Sequence, residues 1–174
     1  MAATESSTVD ANGSVPRWAV LLLAVAAALE LLAGLRDLPI LFGDMTEIPG
    51  PGLGGFVIKT KIALQPVFAL AALIFVARGR IRPALFAMAG VVLVNWMNYL
   101  PSVAIHGLEF QGDGVGGLVT FLEIIVAPVL ALAVIALAWR GQRLTLATLL
   151  AVFHTALSVL FVILFAIGVA IYGF

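Results

Sequence analysis

Residues Gly52-Leu53-Gly54-Gly55-Phe56-Val57 open a stretch that ends in Val76-Ala77-Arg78-Gly79-Arg80. The same frame returns as Gly114-Val115-Gly116-Gly117-Leu118-Val119, ending in Ala138-Trp139-Arg140-Gly141-Gln142. At a constant offset of 62 the two stretches align without a gap and agree at 12 of 29 positions. Matches of Ala or Leu are common in any apolar chain. The weight falls on the Gly-x-Gly-Gly start, on Pro66 against Pro128, and on Arg78-Gly79 against Arg140-Gly141. Leu38-Pro39 and Leu100-Pro101 share the same offset. Self-similarity at a fixed period marks one supersecondary unit copied, and this unit holds two long apolar segments. The expected fold is an all-α integral membrane bundle of five spans: two tandem two-helix repeats in parallel orientation, plus a fifth helix.

The surrounding chain supports that class. Hydrophobic residues make up 63% of the 174 positions and charged residues only 10%, well beyond what a soluble domain can hide in its core. With no cysteine, disulfides, thiolate metal sites and cysteine nucleophiles are excluded. A formal charge of zero and the lack of a basic block argue against nucleic acid as a partner.

Taken in order, residues 1–16 read as a polar, disordered cytoplasmic tail. Residues 17–80 form the first repeat, 81–142 the second, and 143–174 the fifth span. The apolar runs are Trp18–Phe42, a second that ends near Ala77, Ile81–Ile105, Val115–Trp139 and Leu144–Tyr172. Each is long enough to cross a hydrocarbon core about 30 Å thick at about 1.5 Å per residue. The first is expected to be retained as a span, not cleaved as a signal peptide, because its repeat mate Ile81–Ile105 is internal.

Gly43–Gly55, with Asp44, Glu47 and Pro49-Gly50-Pro51-Gly52, and His106–Gly114, with Glu109 and Asp113, are acidic links. The turns carrying Arg78, Arg80, Arg82, Arg140 and Arg143 hold no acidic residue. By the positive-inside rule the arginine turns face the cytoplasm. The expected location is therefore a bacterial inner membrane, multi-pass, with the N-terminus inside and the C-terminus outside.

Ionisable and amide side chains inside such spans are costly and are candidates for function. Glu30, Lys61, Asn95, Asn98, Glu123 and His154 are those candidates. By depth they run from the midplane, where His154 lies, into the outer half of the bundle, which suggests a polar pocket opening outward. Lys61 and Glu123 occupy equivalent repeat positions, so they are expected to form an ion pair between the two halves. Proton or ion handling by Glu123, and Lys61 reaching independently to the surface, are the competing readings. Asn95 and Asn98, at i,i+3 on one face, read as interhelical hydrogen-bond partners or pocket lining. Trp96, Tyr99 and Trp139 read as interface anchors by residue type, with Trp96 somewhat deep for that role.

No nucleophile motif, phosphate loop or zinc signature occurs. His106 and His154 lie at different depths, which argues against paired haem ligation. No spacing motif supports a metal at Glu30, Glu123 and His154. No catalytic residue, metal site or cofactor is assigned.

The run Leu122-Glu123 through Leu132-Ala133 to Arg140 resembles that of DoxX-type small membrane proteins. In that four-span family a Leu-Glu span is followed by a Gly/Arg turn. Here Lys61 stands at the glutamate position of the first repeat, and a fifth span is present. The resemblance implies association with membrane redox or sulfur-oxidising partners and supplies no catalytic residue.

The expected function is that of a non-enzymatic accessory or interaction subunit of a larger membrane assembly, a redox one if the resemblance extends to partners. It would lie in the bilayer with a protein partner or as a homo-oligomer. One alternative is a small oligomeric permease or channel with an outward-opening polar pocket. Another is an intramembrane enzyme acting on a lipid or quinone.

Overall fold

The structure is a computed structural model that describes residues 15–42, 52–107 and 115–173. Most of the expected disordered tail, most of the Gly43–Gly55 link with Asp44 and Glu47, and Glu109 and Asp113 lie outside the described residues. Within them the chain is 92% helical with no strand, and five helices are long and apolar enough to cross a membrane.

The helices are α1 (Arg17–Asp37), α2 (Gly52–Ala77), α3 (Ile81–Trp96), α4 (Leu100–His106), α5 (Val115–Arg140) and α6 (Leu144–Tyr172). The third span is not one regular helix. A short 3-10 segment, Met97–Tyr99, separates α3 from α4. Pro101 accounts for the break, because it has no N–H and its ring clashes with the carbonyl four residues back. Pro39 does the same after α1, where Leu38–Leu41 tightens into a 3-10 turn.

Contacts along the bundle show that neighbouring spans run antiparallel. Glu30 meets Gln65 while Asp37 meets Lys61, so residue numbers on α1 and α2 run in opposite directions. Trp96 reaches Ile124 while Phe86 packs edge-on against Trp139, which relates α3 and α5 in the same way. Gly79 and Gly141 follow α2 and α5 with φ of +69° and +65°. That left-handed backbone is open to glycine without a Cβ penalty and turns each helix back within a few residues.

The core is a seam of small residues. Ala19, Leu23, Ala26 and Ala27 of α1, Ala69 and Ala72 of α2, and Ala84, Leu85, Met88 and Val91 of α3 are buried, as are Ala131, Val134 and Ala138 of α5 and Ala147 of α6. Lipid is as apolar as these side chains, so close backbone approach and dispersion hold the helices together instead of water exclusion. Gly34 shows how close the approach is: a Cβ built there would lie 2.9 Å from Pro66 Cδ. The third span is the least apolar of the five and the most enclosed, and α3 packs against α1, α2, α5 and α6. It is the centre of the bundle. In contrast, α6 buries Leu144, Ala147, Thr148, Ala151 and Thr155, then leaves all of residues 160–167 exposed.

Candidate functional site

Glu30 lies on the same helical stripe of α1 as Ala19, Leu23, Ala26, Ala27 and Gly34. The spacing that packs the helix therefore also turns a carboxyl group inward. At about 1.5 Å per residue Glu30 sits about 20 Å from Arg17 and about 10 Å from Asp37. It is only 5% exposed. Thr155 Oγ1 of α6 donates to its Oε1 at 2.8 Å. Gln65 Nε2 of α2 and Asn95 Nδ2 of α3 donate to its Oε2 at 3.0 and 3.4 Å. A buried polar group without partners is expensive. Here three donors from three other helices meet that need, so one side chain ties four spans together.

A second carboxyl group enters from α5, where Glu123 accepts a hydrogen bond from the Tyr99 hydroxyl. Nearer the end of α1, Asp37 lies 3.6 Å from Lys61 Nζ and 3.2 Å from Arg36 Nε. The ion pair expected between Lys61 and Glu123 is thus not formed: Lys61 is taken by Asp37, and Glu123 by Tyr99. Positions matched at the offset of 62 share a register along the sequence of the helix. Register does not fix the rotation of each helix, and the antiparallel contact of α1 with α2 brings Asp37 to Lys61.

Trp96 also differs from its expected role. It is half-buried, and its indole N–H donates to the carbonyl of Ile124 at 2.9 Å, which makes it a tie between α3 and α5. Trp139 is 80% exposed beside Arg140, a position that suits an interfacial ring.

All six candidate residues, Glu30, Lys61, Asn95, Asn98, Glu123 and His154, line one cavity of about 410 Å³. That size falls within the usual range of small-molecule pockets. Arg36, Asp37 and the exposed Asn98 lie at its rim, and the apolar part of its wall includes Val159, Val162 and Ile163 of α6. The cavity occupies the half of the bundle away from the arginine turns; in the other half the seam of Ala, Leu, Val and Met closes the interior. Two buried polar atoms in the cavity residues have no hydrogen-bond partner: Gln65 Oε1 and His154 Nδ1. A second cavity, of about 330 Å³, runs between α5 and α6 and shares Glu123, Ala127 and His154 with the first. Its remaining wall is Val126, Leu130, Phe153, Leu157 and Phe161.

Sequence reasoning misses Gln65 and Thr155, because an amide or hydroxyl in a span is cheaper than a charge and draws less notice. The available signal is position. Gln65 stands four residues after Lys61, on the same helix face, and Thr155 follows His154. Among the described residues no group of three or more His, Asp or Glu side chains is arranged to hold a metal ion.

The fold and cavity define a multi-pass helical bundle with a polar, ligand-sized chamber in one half. Comparison with known proteins finds no matching family model, no matching curated protein and no matching solved structure.

Proposed function

We propose that this chain is a small permease-type membrane protein that binds a small molecule in the chamber around Glu30 and Glu123. The observation that carries this reading is the convergence of polar side chains from α1, α2, α3, α5 and α6 on one cavity, with a buried Gln65 Oε1 left unpaired. The arginine distribution orients the chamber outward from a bacterial inner membrane. The apolar seam then acts as the closed inner gate, and passage requires the helices to rearrange around it. The two Gly-led helices with Pro66 and Pro128 are read as copies of one unit, the duplication that built the bundle.

Because the chain has no cysteine, introduced thiols report without background. Asn98→Cys and Ser158→Cys in intact cells are expected to react with a membrane-impermeant maleimide added outside. Silence at both sites while a permeant maleimide labels them would sink the outward chamber.

A second reading, that of an accessory subunit, is favoured by the C-terminal half of α6. Residues 160–167 are all exposed; apart from Phe161, Val162 and Ile163, which border the two cavities, they offer an apolar surface suited to another span. On that reading the DoxX resemblance points to a redox assembly as the partner. Gentle extraction of the tagged protein, followed by the mass of the intact particle, tests it. A stoichiometric second polypeptide supports it, and a particle of this chain alone removes it.

A further inference from the structure

We infer that the chamber's ligand is an amphiphilic amine, with its ammonium group held by Glu123 and Glu30 and its single apolar chain lying between α5 and α6. The inference rests on the chamber being a ligand site and names the class of ligand. The hydrogen-bonding inventory of the wall is one-sided. Gln65 Nε2, Asn95 Nδ2 and Thr155 Oγ1 are all spent on Glu30, the Tyr99 hydroxyl is spent on Glu123, and Lys61 faces Asp37. In the buried part of the wall what remains is acceptor capacity: Gln65 Oε1, which is buried and unpaired, and the remaining lone pairs of the two carboxyl groups; the donors still unspent, on Arg36, Lys61 and Asn98, stand toward the Asp37 end of the chamber. The unpaired His154 Nδ1 joins this set in the Nε2–H tautomer.

A molecule that fills these positions must bring donors. Among the described residues, the recorded ion pairs are those of Asp37 with Arg36 and Lys61, so neither glutamate is matched by a protein cation. An ammonium group supplies both the donors and the charge, whereas a carboxylate or phosphate head would meet two like groups.

The second cavity says what the rest of the ligand is. Apart from Glu123 and His154 its wall is wholly apolar, and it borders the chamber at those two residues and Ala127. Phe153 is 50% exposed and Phe161 37% exposed, so the groove is open along its flank toward lipid. A chain leaving the ammonium group at Glu123 passes into this groove without crossing polar surface. A ligand already dissolved in the bilayer enters by the same route. For a ligand taken up from water, burial of such a chain contributes in proportion to the apolar area removed from water; for one taken from the bilayer, packing contacts in the groove take that place.

The test is a chain-matched series titrated calorimetrically into the protein in lipid nanodiscs, with empty nanodiscs subtracted. Octylamine is expected to bind saturably, one per chain, at least about tenfold more tightly than octanol, octanoate or ethylamine. Glu123→Gln is expected to bring octylamine down toward octanol. Leu157→Trp, which fills the groove, is expected to weaken octylamine while leaving ethylamine unchanged. Octanol or octanoate binding as tightly as octylamine overturns the amine assignment but leaves the chamber as a ligand site. Ethylamine matching octylamine overturns the role of the groove. Failure of all four probes to bind overturns the assignment, and the labelling of Asn98→Cys and Ser158→Cys then decides separately whether the chamber is open. The wild-type series decides the ligand class even where a variant does not fold.

Discussion

The indole of Trp96 donates to the carbonyl of Ile124 at 2.9 Å, and Ile124 is the residue four positions before Pro128. In a regular helix that carbonyl would accept the N–H of residue 128, which proline lacks. One span therefore satisfies a vacancy that proline creates in its neighbour, in surroundings where water cannot do so. Trp96→Phe removes the donor with little change of shape. It is expected to cost about 1–3 kcal/mol, read as a fall in the thermal midpoint of the detergent-solubilised protein. In a Pro128→Ala background the helix regains its own donor, and the same change is expected to cost markedly less. Equal costs in both backgrounds would show that the bond does not serve this purpose.

Glu30 offers a graded test of the polar knot. Thr155→Val deletes one of its three donors and is expected to cost about 1 kcal/mol. Glu30→Leu strands all three donors at once, at about 1–3 kcal/mol for each unsatisfied group. Its midpoint should fall much further than that of Thr155→Val. A Glu30→Leu protein as stable as the parent would mean that the knot holds nothing together.

The partner of Lys61 can be assigned by double-mutant cycles. Substitutions Lys61→Met and Asp37→Asn are expected to couple by about 0.2–1 kcal/mol, the range for ion pairs that are partly open to solvent. The cycle of Lys61→Met with Glu123→Gln is expected to show less coupling than that. The reverse order would restore the pairing that the repeat alignment suggests.

Gly34 and Gly90 both face side chains at close range but should differ in tolerance. A Cβ at Gly34 meets Pro66 Cδ at 2.9 Å and Pro66 N at 3.0 Å, atoms fixed to the backbone of α2. A Cβ at Gly90 meets the Phe68 ring at 2.9 Å, which can swing aside. Gly34→Ala is expected to cost about 1–3 kcal/mol by forcing α1 from α2, and Gly90→Ala distinctly less. Comparing midpoints of the two variants checks the order.

How much of this was readable beforehand follows a physical line. Span positions were legible because the bilayer sets a length and excludes charge: α6 occupies Leu144–Tyr172 as its apolar run predicts. The cavity's polar membership was legible for a related reason, since Glu30, Asn95, Glu123 and His154 avoid lipid by facing inward and so gather where the helices meet. Their partners were not legible. Which donor faces Glu30, and whether Lys61 turns to Asp37 or to Glu123, depends on helix rotation that no spacing rule fixes. The break at Met97–Tyr99 was foreshadowed by Pro101, yet its effect of bringing Tyr99 to Glu123 emerges only in three dimensions. The link between Trp96 and Ile124 required knowing that α3 and α5 are neighbours.

The central place of the third span also bears on how the chain is made. A ribosome delivers this least apolar segment before α5 and α6 exist to pack against it. Until then α1 and α2 are its only companions, and lipid is a poor host for its amides. The segment then needs shelter until α5 and α6 emerge, and a message truncated after residue 107 should yield a product marked for degradation. Biogenesis, as much as stability, would then favour an α6 greasy enough to enter the bilayer without help.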